Sequence, residues 1–156
     1  MRRAAVLAIL LVLALGGVAQ AKGPVDTVSG RYTYLNVNSD VTKAVTFQVK
    51  VGDLVQGSFS WASGDQYASG PVTCAIVEGA DAWLAGPITD GTFGDGMGFS
   101  FRVHDGDVGR GGGDWAVQGP DTLDYVLAVC GAMDTSGDEF ADLFPIQSGG
   151  LKVSDK

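Results

Sequence analysis

The chain has 156 residues, a formal net charge of −8, 24 glycines and two cysteines. This length supports one domain with a hydrophobic core. The acidic balance disfavours binding to nucleic-acid phosphates or to an anionic membrane surface. Two cysteines and one distant histidine do not supply the ligand set of a structural zinc site.

Residues 1–21 have the pattern of a secretory signal peptide. The segment begins with two arginines, continues as an apolar run and ends with small residues, Ala19 and Ala21, at the positions that a signal peptidase reads. An uncleaved anchor is the alternative, although the run is shorter than the ~20 residues of a usual membrane span. We therefore predict a secreted, periplasmic or extracellular domain at 22–156 without a membrane span.

Short runs of alternating apolar and polar residues follow, and glycines separate them. The clearest run is 44–51, in which every second residue is apolar: Val45, Phe47, Val49 and Val51. Similar runs lie at 57–62 and 98–105. The runs at 29–37, 80–88, 114–119, 123–130 and 149–154 fit the pattern less cleanly, and 114–119 and 123–130 could be one interrupted strand or two. Pro87 is expected to end its strand. Alternation with one apolar face is typical of half-buried antiparallel strands.

This spacing predicts an all-β fold, a single antiparallel β-sandwich or small barrel of about eight strands. We find no segment with a convincing amphipathic helix pattern, apart from a single helical turn that 138–144 could form.

Cys74, in the run 71–77, and Cys130, in the run 123–130, each lie in a segment that is interpreted as a strand. An even number of cysteines in an exported chain favours one disulfide, here Cys74–Cys130. Two buried free thiols are the alternative.

The stretch "HDGDVGRGGGDW" at 104–115 could be a metal loop, a catalytic corner or a hairpin turn. Asp105, Asp107 and Asp114 are weak candidates for calcium ligands, because calcium takes six to eight oxygens and the EF-hand spacing is absent. A glycine-rich hairpin loop explains every residue, with Asp105 or Asp114 capping backbone donors at its mouth. We favour the turn, and we assign no cofactor.

A second acidic cluster follows at Asp134, Asp138, Glu139 and Asp142, again without a recognised metal-binding spacing.

His104 is the single imidazole of the chain, and alternation places it on the polar face of its strand. No G-x-S-x-G nucleophile elbow is present, and no pair of carboxylates stands out for glycoside chemistry. We therefore expect no enzymatic activity, with a small secreted hydrolase as the residual alternative.

The tryptophans are candidates for stacking on a sugar. Trp61 continues the apolar face of Phe59 and is expected in the core, whereas Trp83 is the best candidate for a partly exposed, ligand-stacking ring. Tyr32 and Tyr34 share one strand face, which could be surface or core rim.

Several short strand and turn motifs follow one another along the chain. They are Gly57-x-Phe59-x-Trp61, Val72-x-Cys74, Gly79-x-x-Ala82-x-Leu84-x-Gly86, Phe99-x-Phe101-x-Val103-x-Asp105, Asp114, and Gly149-Gly150-Leu151-x-Val153. In this order the chain resembles small secreted bacterial β-modules of the prealbumin-like or post-COAP-like type. The resemblance implies an all-β domain with no assigned enzymatic activity.

These observations favour an exported, non-enzymatic module with a binding, adhesion or envelope-structural role, its partner an unknown protein or glycan. The alternative is a calcium-dependent or carbohydrate-binding domain that uses the acidic loops and Trp83.

Overall fold

The computed structural model describes residues 25–36, 41–106, 113–132 and 144–156. The predicted signal peptide, Asp107, the second acidic cluster and nearly all of the candidate turn at 138–144 lie outside these residues. The strands are β1 (Asp26–Asn36), β2 (Val41–Val51), β3 (Val55–Ser63), β4 (Gln66–Pro71), β5 (Cys74–Glu78), β6 (Asp81–Pro87), β7 (Asp90–Gly91), β8 (Met97–His104), β9 (Trp115–Thr122), β10 (Phe144–Pro145) and β11 (Ser148–Ser154). One helix, α1 (Leu123–Ala132), follows β9.

The strands form two antiparallel sheets, which confirms the predicted β-sandwich. Sheet A has the order β11-β1-β2-β3-β4-β7, and sheet B has the order β10-β9-β8-β6-β5. The described residues thus contain more strands than the expected eight, partly because β7 and β10 are only two residues long. Pro87 does end β6, as predicted.

The alternating pattern fixes which face of each strand is buried. Val45, Phe47 and Val49 of β2 are buried while the residues between them are exposed. Pairing in register then brings Phe47 opposite Phe59 on β3. Apolar side chains of neighbouring strands therefore lie side by side on one face of the sheet, and this face is buried.

An aromatic cluster fills the space between the sheets. Phe59 of sheet A lies 5.3 Å from Phe101 and 5.7 Å from Phe99 of sheet B, measured between ring centroids. Trp61 lies 5.1 Å from Phe99 and is buried, which confirms its predicted core position. Tilted and edge-on contacts at these separations are favourable beyond the area that they bury.

The chain crosses from sheet A to sheet B at Val72 and Thr73. The Val72 amide donates to Gly57 O in sheet A at 3.0 Å, and the Thr73 amide donates to Ala85 O in sheet B at 2.9 Å. Beside this crossing, a Cβ at Gly86 would collide with the Pro71 carbonyl. The two sheets approach so closely here that only glycine fits at this position.

The segment 123–130 forms helix α1 and not the predicted strand, so the expectation of no convincing helix was wrong. Leu123, Val126, Leu127 and Cys130 recur at i, i+3, i+4 and i+7, and they face sheet B. The β-branched and aromatic residues in this run favour a strand locally, but burial of the helical stripe on the sheet outweighs that preference.

Helix α1 is covalently tied to sheet B. Cys130 on α1 forms a disulfide with Cys74 on β5, at a Cα–Cα distance of 6.3 Å. The predicted pairing is therefore confirmed, although Cys130 lies on a helix. Within the described ranges, no helix has the length and apolar character that a membrane crossing requires.

Tyr32 and Tyr34 lie in the core and not at its rim. Burial raises the pKa of both hydroxyls above the ordinary value of 10.0. The unfolded chain therefore loses protons above pH 10 that the folded chain retains, and folding stability falls as pH rises through this range.

We expect Tyr32→Phe to reduce this alkaline destabilisation by about 1.4 kcal/mol per pH unit. At neutral pH the change costs little, because within the described residues the buried Tyr32 hydroxyl has no hydrogen-bond partner. Urea unfolding at pH 8, 10 and 11 measures both effects. Tyr125→Phe, at an exposed position, is the control. Equal pH dependence in wild type and Tyr32→Phe would contradict the prediction.

Candidate ligand-binding face

Asp105 and Asp114 lie next to the paired residues His104 of β8 and Trp115 of β9, on either side of a segment outside the described residues. The amide of Gly106 donates to Asp114 Oδ1 at 3.3 Å, and Asp105 is held in place by its own amide, which donates to Ala80 O at 2.9 Å. Asp107, the third candidate calcium ligand, lies outside the described residues.

Both carboxylates accept hydrogen bonds from strand β11, which is an edge strand of sheet A. Asp105 Oδ2 accepts a hydrogen bond from the Val153 amide at 2.8 Å, and Asp114 Oδ2 accepts one from the Leu151 amide at 2.8 Å. These two amides point away from β1, where an edge strand would otherwise present unpaired donors. The two aspartates thus cap a sheet edge, the role that the turn interpretation allows them.

A calcium ion bound here would meet carboxylates that already accept hydrogen bonds from backbone amides. In the described residues no group of three or more histidine, cysteine or acidic side chains could hold a metal ion. Asp107 and the second acidic cluster fall outside this search. The calcium hypothesis therefore stays a prediction, which a calcium titration of the melting temperature tests.

His104 lies at the end of β8 beside Asp81 of β6. Its Nδ1 atom is 3.3 Å from Asp81 Oδ2, and both side chains are partly exposed. The register explains this contact, because Asp81 and His104 are directly opposite in the antiparallel β6–β8 pair. The cysteines are joined in the disulfide and cannot act as nucleophiles beside this histidine.

Trp83 is buried, so the expectation of a partly exposed ring was wrong. Only 6% of its surface is accessible. It packs with Ala85 against Val126 and Cys130 of α1, and the Arg102 guanidinium lies 5.6 Å from its ring centroid. The helix that the sequence pattern failed to predict is what covers this tryptophan.

The two sheets differ in what covers their outer surfaces. Helix α1 packs on the outer surface of sheet B, where Trp83 and Val117 are buried. On sheet A, the outward residues Thr46, Ser58 and Ser60 are exposed, and within the described part of the chain no element lies over them. We call this surface, formed by the outward residues of β11, β1, β2, β3 and β4, the outer face.

The outer face is dominated by hydroxyl, amide and small side chains. Its central residues are Ser29, Arg31, Thr33, Ala44, Thr46, Gln48, Ser58, Ser60, Ala62, Tyr67, Ser69, Ser148, Gly150 and Lys152. No aspartate or glutamate occupies an outward position among these central residues. The lack of carboxylates on these five strands is notable because the whole chain carries a net charge of −8. Beyond them, Asp90 of β7 lies directly opposite Ser69 at the β4 edge of the sheet.

Three shallow depressions cross the outer face from β11 to β4. Their volumes are about 380, 380 and 330 Å³, and neighbouring depressions share Thr46. Four strand spacings of ~4.8 Å make the crossing about 19 Å long, the length of a short oligosaccharide. The depressions adjoin one another on the open surface of sheet A, and we call them together the groove.

The ends of this groove differ chemically. At the β4 end Tyr67 is 45% exposed and lines the groove with Ser60 and Ser69. At the β11 end Thr33 Oγ1 and Ser148 Oγ form a hydroxyl pair at 2.7 Å, and Arg31 and Lys152 line the wall nearby. One end offers an aromatic ring, and the other offers hydroxyls and cations.

Sequence reasoning missed the outer face, because it treated each strand's polar residues only as solvent-facing. The signal was the recurrence of serine and threonine, without aspartate or glutamate, at the polar positions of several strands.

Comparison with protein-family models, with curated proteins and with solved structures found no match for the chain. The resemblance to prealbumin-like modules therefore stays a prediction.

Proposed function

We propose that the protein is an exported, non-enzymatic β-sandwich module that binds a glycan along the groove of the outer face. Export is supported by the predicted signal peptide at 1–21 and by the Cys74–Cys130 disulfide, a bond that persists in oxidising compartments. The observation that carries the binding role is the uncovered, hydroxyl-lined groove with an exposed tyrosine at one end.

The chemistry of the groove favours a sugar chain over a protein surface. The middle of the groove is lined by Ala44, Thr46, Ser60 and Ala62, so it lacks the large apolar anchors at the centre of a stable protein interface. Hydroxyl groups both donate and accept hydrogen bonds, as sugar hydroxyls do. An exposed tyrosine adds a flat apolar surface with a polar tip, against which a sugar ring can stack.

We expect Tyr67→Ala to weaken glycan binding about five-fold or more, because removing an aromatic anchor costs more than about 1 kcal/mol of binding free energy. The measurement is a glycan array, followed by calorimetry with the best-bound oligosaccharide.

Tyr125→Ala is the matched control, because Tyr125 is equally exposed, at 44%, but lies on α1 at the opposite side of the sandwich. Thermal melting of both variants shows that the fold is retained. Failure to bind any glycan on the array, or equal affinities for wild type and Tyr67→Ala, would reject the proposal.

A further inference from the structure

Positive charge is concentrated on the outer face although the protein is acidic. The described basic residues are Arg31, Lys43, Lys50, Arg102, Lys152 and Lys156. Of these, Arg31, Lys50 and Lys152 are exposed on the outer face, on the adjacent strands β1, β2 and β11. This face therefore attracts anions, while the net charge of −8 makes the chain as a whole repel them.

Arg31 and Lys152 flank one place in the groove. Arg31 lies directly opposite Gly150 on β11, and Lys152 is two residues further along that strand. This diagonal relation places the two residues about 7–8 Å apart. Both line the same depression as Ser29, Thr46 and Gln48.

Neither cation is neutralised within the described part of the chain, where neither Arg31 nor Lys152 forms an ion pair with a carboxylate. Gly150 leaves the space beside them open, since a Cβ added there would meet no atom within 4 Å. An anionic group can therefore enter between the two cations without displacing a side chain.

We propose that the glycan bound in the groove is anionic, with a sugar carboxylate held between Arg31 and Lys152 and the chain extending toward Tyr67. This inference rests on the proposed function. A guanidinium matches a carboxylate with two parallel hydrogen bonds, and the lysine ammonium adds a second positive charge. The hydroxyls of Ser29 and Thr46 and the amide of Gln48 are placed to bind the neighbouring sugar hydroxyls.

The test compares oligogalacturonate with the same oligosaccharide after its carboxyl groups have been reduced to alcohols. We expect the charged form to bind at least ten-fold more tightly at low salt, and this preference to shrink as salt screens exposed charges. Arg31→Gln and Lys152→Gln should each weaken binding of the charged form about five-fold. Lys156→Gln removes the same charge outside the outer face and should leave binding unchanged.

Sulfated dextran distinguishes the kind of anion. Binding of oligogalacturonate that exceeds binding of sulfated dextran supports the carboxylate as the recognised group, and the reverse order overturns it. Polyglutamate tests an acidic protein as the ligand, and binding as tight as that of oligogalacturonate would also overturn the inference.

Gly150→Glu tests the location without removing either cation. The new carboxylate would lie beside Arg31 and occupy the anion's place, so binding of oligogalacturonate should be lost. Gly131→Glu makes the same change in an open position on α1 and should bind as wild type does.

The failures of the two proposals are distinguishable. If the reduced oligosaccharide binds as tightly as the charged one, and Tyr67→Ala still weakens both, the glycan-binding role stands and the anionic inference falls. If neither oligosaccharide binds and the array is also empty, both proposals fall.

Discussion

Removal of the Cys74–Cys130 disulfide is expected to lower the free energy of unfolding by about 4 kcal/mol. The bond links residues that are 56 positions apart, so it restricts the unfolded chain strongly. It also fastens α1 to β5, and α1 covers the outer surface of sheet B. A loss of this size would remove a large part of the stability of an ordinary domain.

Two versions of this experiment separate the cross-link from the packing of its atoms. The wild-type protein in reducing agent loses only the bond, whereas the Cys74→Ala/Cys130→Ala variant also loses the buried Cys130 sulfur beside Val126. Urea unfolding of both, compared with the oxidised wild type, gives the two contributions. A loss below about 1 kcal/mol in the reduced wild type would contradict the prediction.

Replacement of Asp105 by alanine is expected to lower the free energy of unfolding by about 2–3 kcal/mol. Asp105 is only 2% exposed, and its carboxylate accepts the Val153 amide at 2.8 Å. The alanine variant would leave this amide without its charged acceptor, and a hydrogen bond to a charged group contributes more than one between neutral groups. Asp105→Asn keeps an acceptor of the same shape and should lose about half as much.

Asp155→Ala provides the matched control for Asp105→Ala. The Asp155 carboxylate also accepts a backbone amide, that of Gly79, at 2.9 Å, but this bond is exposed to water. Its loss should therefore cost less than about 1 kcal/mol. Equal effects of the two substitutions, measured by urea unfolding, would show that burial of the Asp105 bond is unimportant.

The same aspartates bear on self-association. Asp105 and Asp114 accept hydrogen bonds from the β11 amides that point away from β1. If these amides were free, the edge strand could pair with another chain. The Asp105→Ala/Asp114→Ala variant should therefore form larger species in light scattering at concentrations where wild type does not.

The strands were predictable because their signal is local. In β2, β3 and β8 the apolar residues recur at every second position, and such a run can bury its apolar side only against another packed layer. The disulfide was also predictable, because only one pair of cysteines exists in the chain. Neither conclusion needed knowledge of which strands are neighbours.

Helix α1 was missed because two local signals conflict. Leu123, Val126, Leu127 and Cys130 show the helical spacing, but Tyr125, Val126 and Val129 favour an extended chain. Packing on sheet B decides between them, and packing is a tertiary effect. The error on Trp83 follows from this one, since α1 is what covers its ring.

The amino-acid sequence by itself determined that this protein is all-β with antiparallel strands and which side of the alternating strands enters its core, because periodicity carries that information. It favoured a sandwich with a Cys74–Cys130 disulfide but left a small barrel and two free thiols open. Only the tertiary structure decided that Asp105 and Asp114 cap a sheet edge, and that Arg31 and Lys152, far apart in the chain, share one groove. Strand order and register bring these residues together. Order and register depend on the burial of all the strands at once, so they cannot be derived from any single segment.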